Sequence, residues 1–61
     1  MTYQEAGRKL AEDGYKFEAQ GFIDIKGIRH LVEYWGRGED SQIIMVHNTQ
    51  IATLFEEIIN G

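Results

Sequence analysis

Two histidines and one serine are the residues of this chain best suited to catalysis or metal binding. His30 and His47 fall on two different candidate strands, and Ser41 lies next to a glycine-containing loop. Two histidines without a third ligand make a poor metal site, and a hydrolytic site needs its nucleophile beside a base. We therefore expect the histidines to be structural or surface residues, and we predict no metal ion, no cofactor and no catalytic residue.

Carboxylates and glycines offer two further possibilities for chemistry. Glu39-Asp40 and Glu56-Glu57 are pairs of acidic neighbours, but neighbours in sequence point apart on a strand or a helix, so neither pair is a preformed acid–base dyad. Gly36-Arg37-Gly38 lacks the lysine and the following helix of a phosphate-binding loop. It is typical of a hairpin loop instead. We therefore expect a protein that is not an enzyme.

The composition describes one small acidic domain that spans residues 1–61. Of the 61 residues, 43% are hydrophobic and 26% are charged, which is ordinary for a globular domain, and none is cysteine. Six basic side chains against ten acidic ones give a net charge of −4, which repels phosphate backbones and attracts basic partners. No apolar run approaches the roughly 20 residues that cross a bilayer, so we expect a cytoplasmic protein that contacts no membrane.

The N-terminal segment predicts a helix over residues 3–13. Thr2 and Glu5 have the spacing of a capping box, in which each side chain bonds the backbone amide of the other residue. Asp13-Gly14 then ends the helix, because glycine adopts a left-handed conformation without strain.

The middle of the chain predicts three antiparallel strands. Alternating apolar and polar residues over 15–25 indicate a long half-buried strand. Gly21 is either the site of a bulge or, with Gln20, a break between two strands, and we expect one bent strand. A tight turn at Lys26-Gly27 leads into a second strand over 28–35. The third strand is expected over 42–47, after the glycine-containing loop.

The C-terminal segment predicts a second helix, capped by Asn48 or Thr49. Its apolar residues recur at helical spacing and are Ile51, Leu54, Phe55, Ile58 and Ile59. The expected fold class is therefore α+β: a single α-β-β-β-α domain with a three-stranded antiparallel sheet and both helices on one face.

One face of the predicted sheet is expected to be partly open. If Phe22, Leu31 and Trp35 meet there, they form an apolar patch suited to a homodimer or to a partner protein. The helix-covered face is expected to hold the core, in which Leu10, Leu54, Phe55 and Ile58 pack against Tyr15, Phe17 and Ile25.

The predicted order of elements is also that of the double-stranded-RNA-binding domain. That module meets phosphates with lysines at the start of its last helix, where this chain has Asn48-Thr49-Gln50. The basic residues are scattered along the chain instead. We therefore expect no direct contact with nucleic acid.

Several local strings resemble small phage-encoded anti-CRISPR inhibitors of type II-A systems. The resemblance covers residues 13–61 and consists of Asp13 and Tyr15 at the first strand, the apolar second strand, Gly38-Glu39-Asp40, the short third strand, and a final helix ending Ile59-Asn60-Gly61. It implies a helix, three antiparallel strands and a further helix. It also implies that the protein occupies the site at which an RNA-guided nuclease reads its short DNA motif. Asp13, Glu39 and Asp40 would then stand in place of DNA phosphates.

Two functions lead among the hypotheses. The first is a non-enzymatic inhibitor that binds the basic surface of a nucleic-acid-handling protein such as a CRISPR nuclease. Its expected partner-binding residues are Asp13, Trp35, Gly38, Glu39, Asp40 and Glu56. The alternative is a small homo-oligomeric interaction module that uses the open sheet face. An RNA-binding domain would need a basic stripe, and a small enzyme would need a cleft joining His30 to Ser41.

Overall fold

The fold is one helix packed on a four-stranded antiparallel sheet. A computed structural model describes residues 1–49 and 51–58, and of Glu57 and Ile58 it describes only the backbone. The elements are α1 (Tyr3–Glu12), β1 (Lys16–Ile25), β2 (Ile28–Arg37), β3 (Ser41–Asn48) and β4 (Ile51–Ile58). The strands neighbour one another in chain order, β1-β2-β3-β4. Each strand therefore pairs with the next through a short connection.

The N-terminal helix forms as predicted, because its two ends are determined by local contacts. The Thr2 hydroxyl accepts from the Glu5 amide at 3.2 Å, and the Glu5 carboxylate accepts from the Thr2 amide at 3.1 Å. This backbone hydrogen bond from Thr2 is the main cause that lowers the pKa of Glu5. Asp13 is the C-cap, and Gly14 follows with φ at 89°, a conformation that favours glycine.

The predicted C-terminal helix is wrong: this segment is strand β4. Its apolar spacing fits a helix, but its residues also alternate between the two sheet faces, and its isoleucines, threonine and phenylalanine favour strands. Thr49 has φ at 60°, whereas a helix N-cap has an extended backbone. Pairing with β4 also covers the edge of β3, which is apolar on both faces. The fold therefore has four strands and one helix. Gln50, Ile59, Asn60 and Gly61 lie outside the described residues.

An irregularity in the first strand decides which residues face the helix. The register between β1 and β2 shifts between Phe17 and Ala19, and not at Gly21 as predicted. Because side chains alternate along a strand, an extra residue moves all later ones to the opposite face. Phe17 therefore lies on the helix side, and Ile23 and Ile25 lie on the other side.

The tight turn between the first two strands is confirmed. Lys26 and Gly27 both have positive φ, at 51° and 81°. Two such residues make the turn type whose twist matches that of the flanking strands.

The core lies between α1 and one face of the sheet. Its buried residues are Ala6, Leu10, Tyr15, Met45 and Ala52, and the partly buried residues packed around them are Tyr3, Trp35, Ile43 and Leu54. A Cβ at Gly7 would lie in ordinary contact with the Trp35 ring, at 3.7 Å, which places the tryptophan directly beneath α1. The N-terminus also crosses the outer edge of β4, where the Met1 carbonyl accepts from the Ala52 amide at 2.8 Å.

The predicted distribution of residues between the two faces is partly wrong. Trp35, Leu31 and Phe22 share the helix side of the sheet, and Trp35 lies under α1 instead of on the open face. Phe55 and Ile25, expected in the core, lie on the opposite face. In the described part of the chain no helix is long and apolar enough to cross a membrane.

Candidate functional site

The face of the sheet opposite α1, which we call the open face, is mostly apolar. Residues that are Cα partners share a face, so the register assigns every position. The apolar members of the open face are Ala19, Ile23, Ile25, Ile28, Val32, Tyr34, Ile44, Val46, Ile51 and Phe55, and its polar or charged members are Lys16, His30, Gln42, Asn48, Thr53 and Glu57. No other element among residues 1–49 and 51–58 covers this face.

The open face is both apolar and accessible. Ile28, Ile51 and Phe55 are 63%, 58% and 54% exposed. At the centre of the face Val32 and Val46, which are Cα partners, are buried although no second layer lies over them. The apolar surface that this face offers to a partner therefore comes from the residues around its buried centre, chiefly Ile28, Ile51 and Phe55.

Apart from Thr53, the polar groups of the open face lie toward its ends. Glu18 lies over Gly36, where an added Cβ would overlap its carboxylate. Its Oε1 also accepts from Gln42 Nε2 at 3.5 Å. Toward the other end, His30 Nδ1 lies 3.1 Å from the His47 carbonyl oxygen. Between these two ends, the open face of the described strands has no charged residue.

The predicted acidic residues lie at one end of the molecule, where β1 and β3 begin and β2, β4 and α1 end. Gly38, Glu39 and Asp40 form the turn between β2 and β3, and Asp13 caps α1. Glu56 pairs with Ile43, close to the start of β3. Topology therefore brings these predicted site residues to one end, while Trp35 lies beneath the helix.

One positively charged side chain, that of Arg37, also lies at this end. The Arg37 guanidinium donates to the Asp13 carbonyl oxygen at 2.9 Å and lies 4.6 Å from the centre of the Tyr15 ring. It ties the end of β2 to the end of α1 through a hydrogen bond and a cation–π contact.

Charge is unevenly distributed along the molecule. Seven of the ten acidic residues belong to what we call the acidic end, namely Glu12, Asp13, Glu18, Glu39, Asp40, Glu56 and Glu57, against two basic ones, Lys16 and Arg37. The formal charge of the acidic end is therefore −5. The remaining three acidic and four basic residues give +1, and together the two values make the −4 of the chain.

A polar cluster at the edge of the core was missed by sequence reasoning. The Glu33 carboxylate accepts from Trp35 Nε1 at 3.0 Å and lies 2.6 Å from His47 Nε2. The His47 ring stacks on Tyr3 at 4.0 Å, and the Tyr3 hydroxyl donates to the Thr49 carbonyl oxygen. Glu33 and His47 are largely buried. Only the register reveals the cluster, since Glu33 pairs with Met45, two residues from His47.

The residues that suggested chemistry do not come together. Ser41 pairs with Arg37 on the helix side, whereas His30 lies on the open face near the opposite end of β2. Among the described residues no three histidine, cysteine, aspartate or glutamate side chains are placed to hold a metal ion. A depression of about 350 Å³ lies along the exposed side of α1, lined by Met1, Glu5, Arg8, Lys9 and Glu12.

Comparison with known proteins adds no function to this geometry. No protein-family model, no curated protein and no solved structure matches this chain. Of the features that carry the anti-CRISPR resemblance, the final helix is strand β4 in this fold. Function is therefore inferred from the two surfaces that the fold creates, the open face and the acidic end.

Proposed function

We propose that this protein is a self-associating interaction module that acts by binding and not by catalysis, and that a second copy of the chain covers the open face. The observation that supports it is the continuous apolar face of four paired strands, with no covering element in the described part of the chain. The hydrophobic effect favours burying such a face, and monomeric proteins rarely expose a large contiguous apolar patch.

The size of the face suits a second copy. The two longer dimensions of the molecule are 31 and 24 Å, and the third is 16 Å. A stable interface of standard size takes about 800 Å² from each partner, which a face of these dimensions can supply. The accessible surface of the chain is 4542 Å², whereas a compact monomer of this mass would expose about 4,000 Å².

The chemistry of the face also suits a copy of itself. Two-fold symmetry brings the same patch of both subunits together, so the patch must complement itself. An uncharged apolar centre meets this condition, because no like charges are brought together there. Two sheets packed face to face lie about 10 Å apart with interdigitating side chains. The result is a four-layer dimer of helix, sheet, sheet and helix.

The proposal predicts that one phenylalanine controls self-association and another does not. Phe55 lies on the open face at one edge strand and is 54% exposed, while Phe22 lies on the helix side at the other edge strand and is 65% exposed. Phe55→Asp should weaken the dimer by at least about tenfold, because each interface then buries two unpaired carboxylates. Phe22→Asp is the matched control and should leave the dimer intact.

The measurement is sedimentation equilibrium of the native chain and both variants, with circular dichroism to confirm that each variant folds. Dimers for the native chain and Phe22→Asp, together with folded monomers for Phe55→Asp, are the expected set. A native chain that stays monomeric at every concentration would overturn the proposal, as would equal weakening by both variants.

We propose inhibition of a nucleic-acid-handling protein as the second candidate function, acting in the cytoplasm. Its support is the placement of Asp13, Glu39, Asp40 and Glu56 at the acidic end. Carboxylates there would bind arginine forks on a basic nucleic-acid groove, which recognise carboxylates bidentately. A net charge of −5 at that end would also steer the encounter and make it sensitive to salt.

This candidate is tested by comparing two double variants. One removes two negative charges from the acidic end, and the other removes two from the rest of the molecule. Glu39→Gln with Asp40→Asn removes them from the acidic end, and Glu5→Gln with Asp24→Asn removes them elsewhere while a glutamine preserves the capping box. In a DNA-cleavage assay with a type II-A RNA-guided nuclease, the native chain and the second double variant should inhibit, and the first should not. Full cleavage with excess native chain, or equal inhibition by both variants, would contradict the candidate for this nuclease.

A further inference from the structure

We infer that the two copies of the proposed dimer pack with their acidic ends at opposite poles, so that β4 of one copy lies over β4 of the other. This inference rests on the proposed self-association and specifies its geometry. When two sheets pack face to face about a two-fold axis, two orientations of that axis keep the strands of the two sheets aligned. The axis runs either along the strands, which places the two acidic ends together, or across them, which separates these ends.

The distribution of apolar residues along the open face favours an axis across the strands. The row nearest the acidic end contains Lys16, Gly36, Gln42 and Glu57. The following rows toward the other end contain the isoleucines, the valines, Tyr34 and Phe55, with His30, Asn48 and Thr53 as the polar members among them. If one copy is reversed and displaced along the strands, the apolar rows of the two copies overlap. The row containing Lys16 and Gln42 then projects beyond the interface in both copies and remains in water.

The charge distribution favours the same arrangement. An axis along the strands would bring two ends of formal charge −5 to one side of the dimer, within the short range over which charges are not screened. An axis across the strands brings each acidic end toward the less charged end of the other copy. Both the apolar surface and the charge therefore favour reversed strands.

The two arrangements place different strands opposite each other. With the axis across the strands, each edge strand faces its own copy, and Thr53 on β4 lies near Thr53 of the second copy. With the axis along the strands, β4 faces β1, and Thr53 faces Gly21 of the second copy. Thr53 and Gly21 are in the same row of the open face, about three strand spacings, or roughly 14 Å, apart.

Single cysteines at these two positions distinguish the arrangements. The native chain contains no cysteine, so Thr53→Cys and Gly21→Cys each introduce one thiol. Thr53 is exposed, and a Cβ at Gly21 would meet its nearest neighbour, a Tyr34 ring carbon, at an ordinary 3.9 Å. Each variant, and an equimolar mixture carrying tags of different mass, is treated with a short bis-maleimide cross-linker and weighed by mass spectrometry.

The expected result is a cross-linked homodimer for each variant alone and no gain of the mixed product over random pairing. Preferential formation of the mixed product, with loss of both homodimers, would overturn the inference and leave self-association standing. Sedimentation of a dimer without any cross-linked product would overturn it too. If the native chain itself sediments as a monomer, the proposed self-association fails, which is a distinct outcome.

Discussion

Leu10→Ala is expected to lower the free energy of unfolding by about 2–5 kcal/mol, the range found for large-to-small changes in well-packed cores. Leu10 is 2% exposed and belongs to the cluster that joins α1 to the sheet. Truncation of this side chain leaves a cavity between the helix and the sheet. The few residues that line the cavity can move to fill it only partly. At roughly 0.05–0.15 kcal/mol per residue, a chain of this length has little stability to lose.

The measurement is thermal and urea unfolding at one fixed protein concentration, since self-association would make the midpoint depend on concentration. Phe22→Ala is the control, because Phe22 is 65% exposed and an exposed truncation costs much less than a buried one. The midpoint of Leu10→Ala should fall by at least 8 °C, at about 4–8 °C per kcal/mol. Equal shifts for the two variants would show that α1 does not form the core described above.

The parts of the fold that the sequence could predict are those determined locally. The helix begins at a capping box and ends at Asp13-Gly14. Both signals lie within one turn of the helix end that they determine. The β1–β2 hairpin follows from Lys26-Gly27, whose two positive φ angles suit a tight turn. In each case neighbouring residues contain the whole physical reason, so no distant contact was needed.

The C-terminal segment shows why the rest could not be predicted. Ile51, Leu54, Phe55 and Ile58 satisfy helical spacing, while Ile51 and Phe55 also share one face of a strand. The choice between helix and strand depends on pairing with β3, a non-local interaction that periodicity does not contain. Because this segment is a strand and not a helix, the open face is larger than the three-stranded prediction implied.

The composition of the interaction surface depended on the register, which is also non-local. A self-association patch was predicted on the residues Phe22, Leu31 and Trp35, but the irregularity between Phe17 and Ala19 places Phe22 on the helix side. One extra residue in β1 exchanges the faces of all residues that follow it. The placement of Asp13, Glu39, Asp40 and Glu56 at one end is also non-local, because it follows from the strand order β1-β2-β3-β4.

The second large effect is expected at Glu33. Its two oxygens contact Trp35 Nε1 at 3.0 Å and His47 Nε2 at 2.6 Å, and the side chains of Glu33 and His47 are only 21% and 15% exposed. Glu33→Ala leaves two polar groups unpaired near the core, at about 1–3 kcal/mol each. We therefore expect a loss of at least about 2 kcal/mol in the free energy of unfolding.

Glu33→Gln separates the contact with Trp35 from the contact with His47. Glutamine keeps an oxygen for the Trp35 N–H group and fills the same space, so it should destabilise the protein less than alanine does. Denaturant unfolding followed by fluorescence suits both variants, because Trp35 is the only tryptophan and reports on this cluster directly. If Glu33→Ala were as stable as the native chain, water would have to satisfy Trp35 and His47, and the cluster would not be part of the packed layer between α1 and the sheet. If glutamine and alanine were equally harmful, the contact with His47 would carry most of the effect, because glutamine keeps an acceptor for Trp35 but places its NH2 group in place of the oxygen that faces His47.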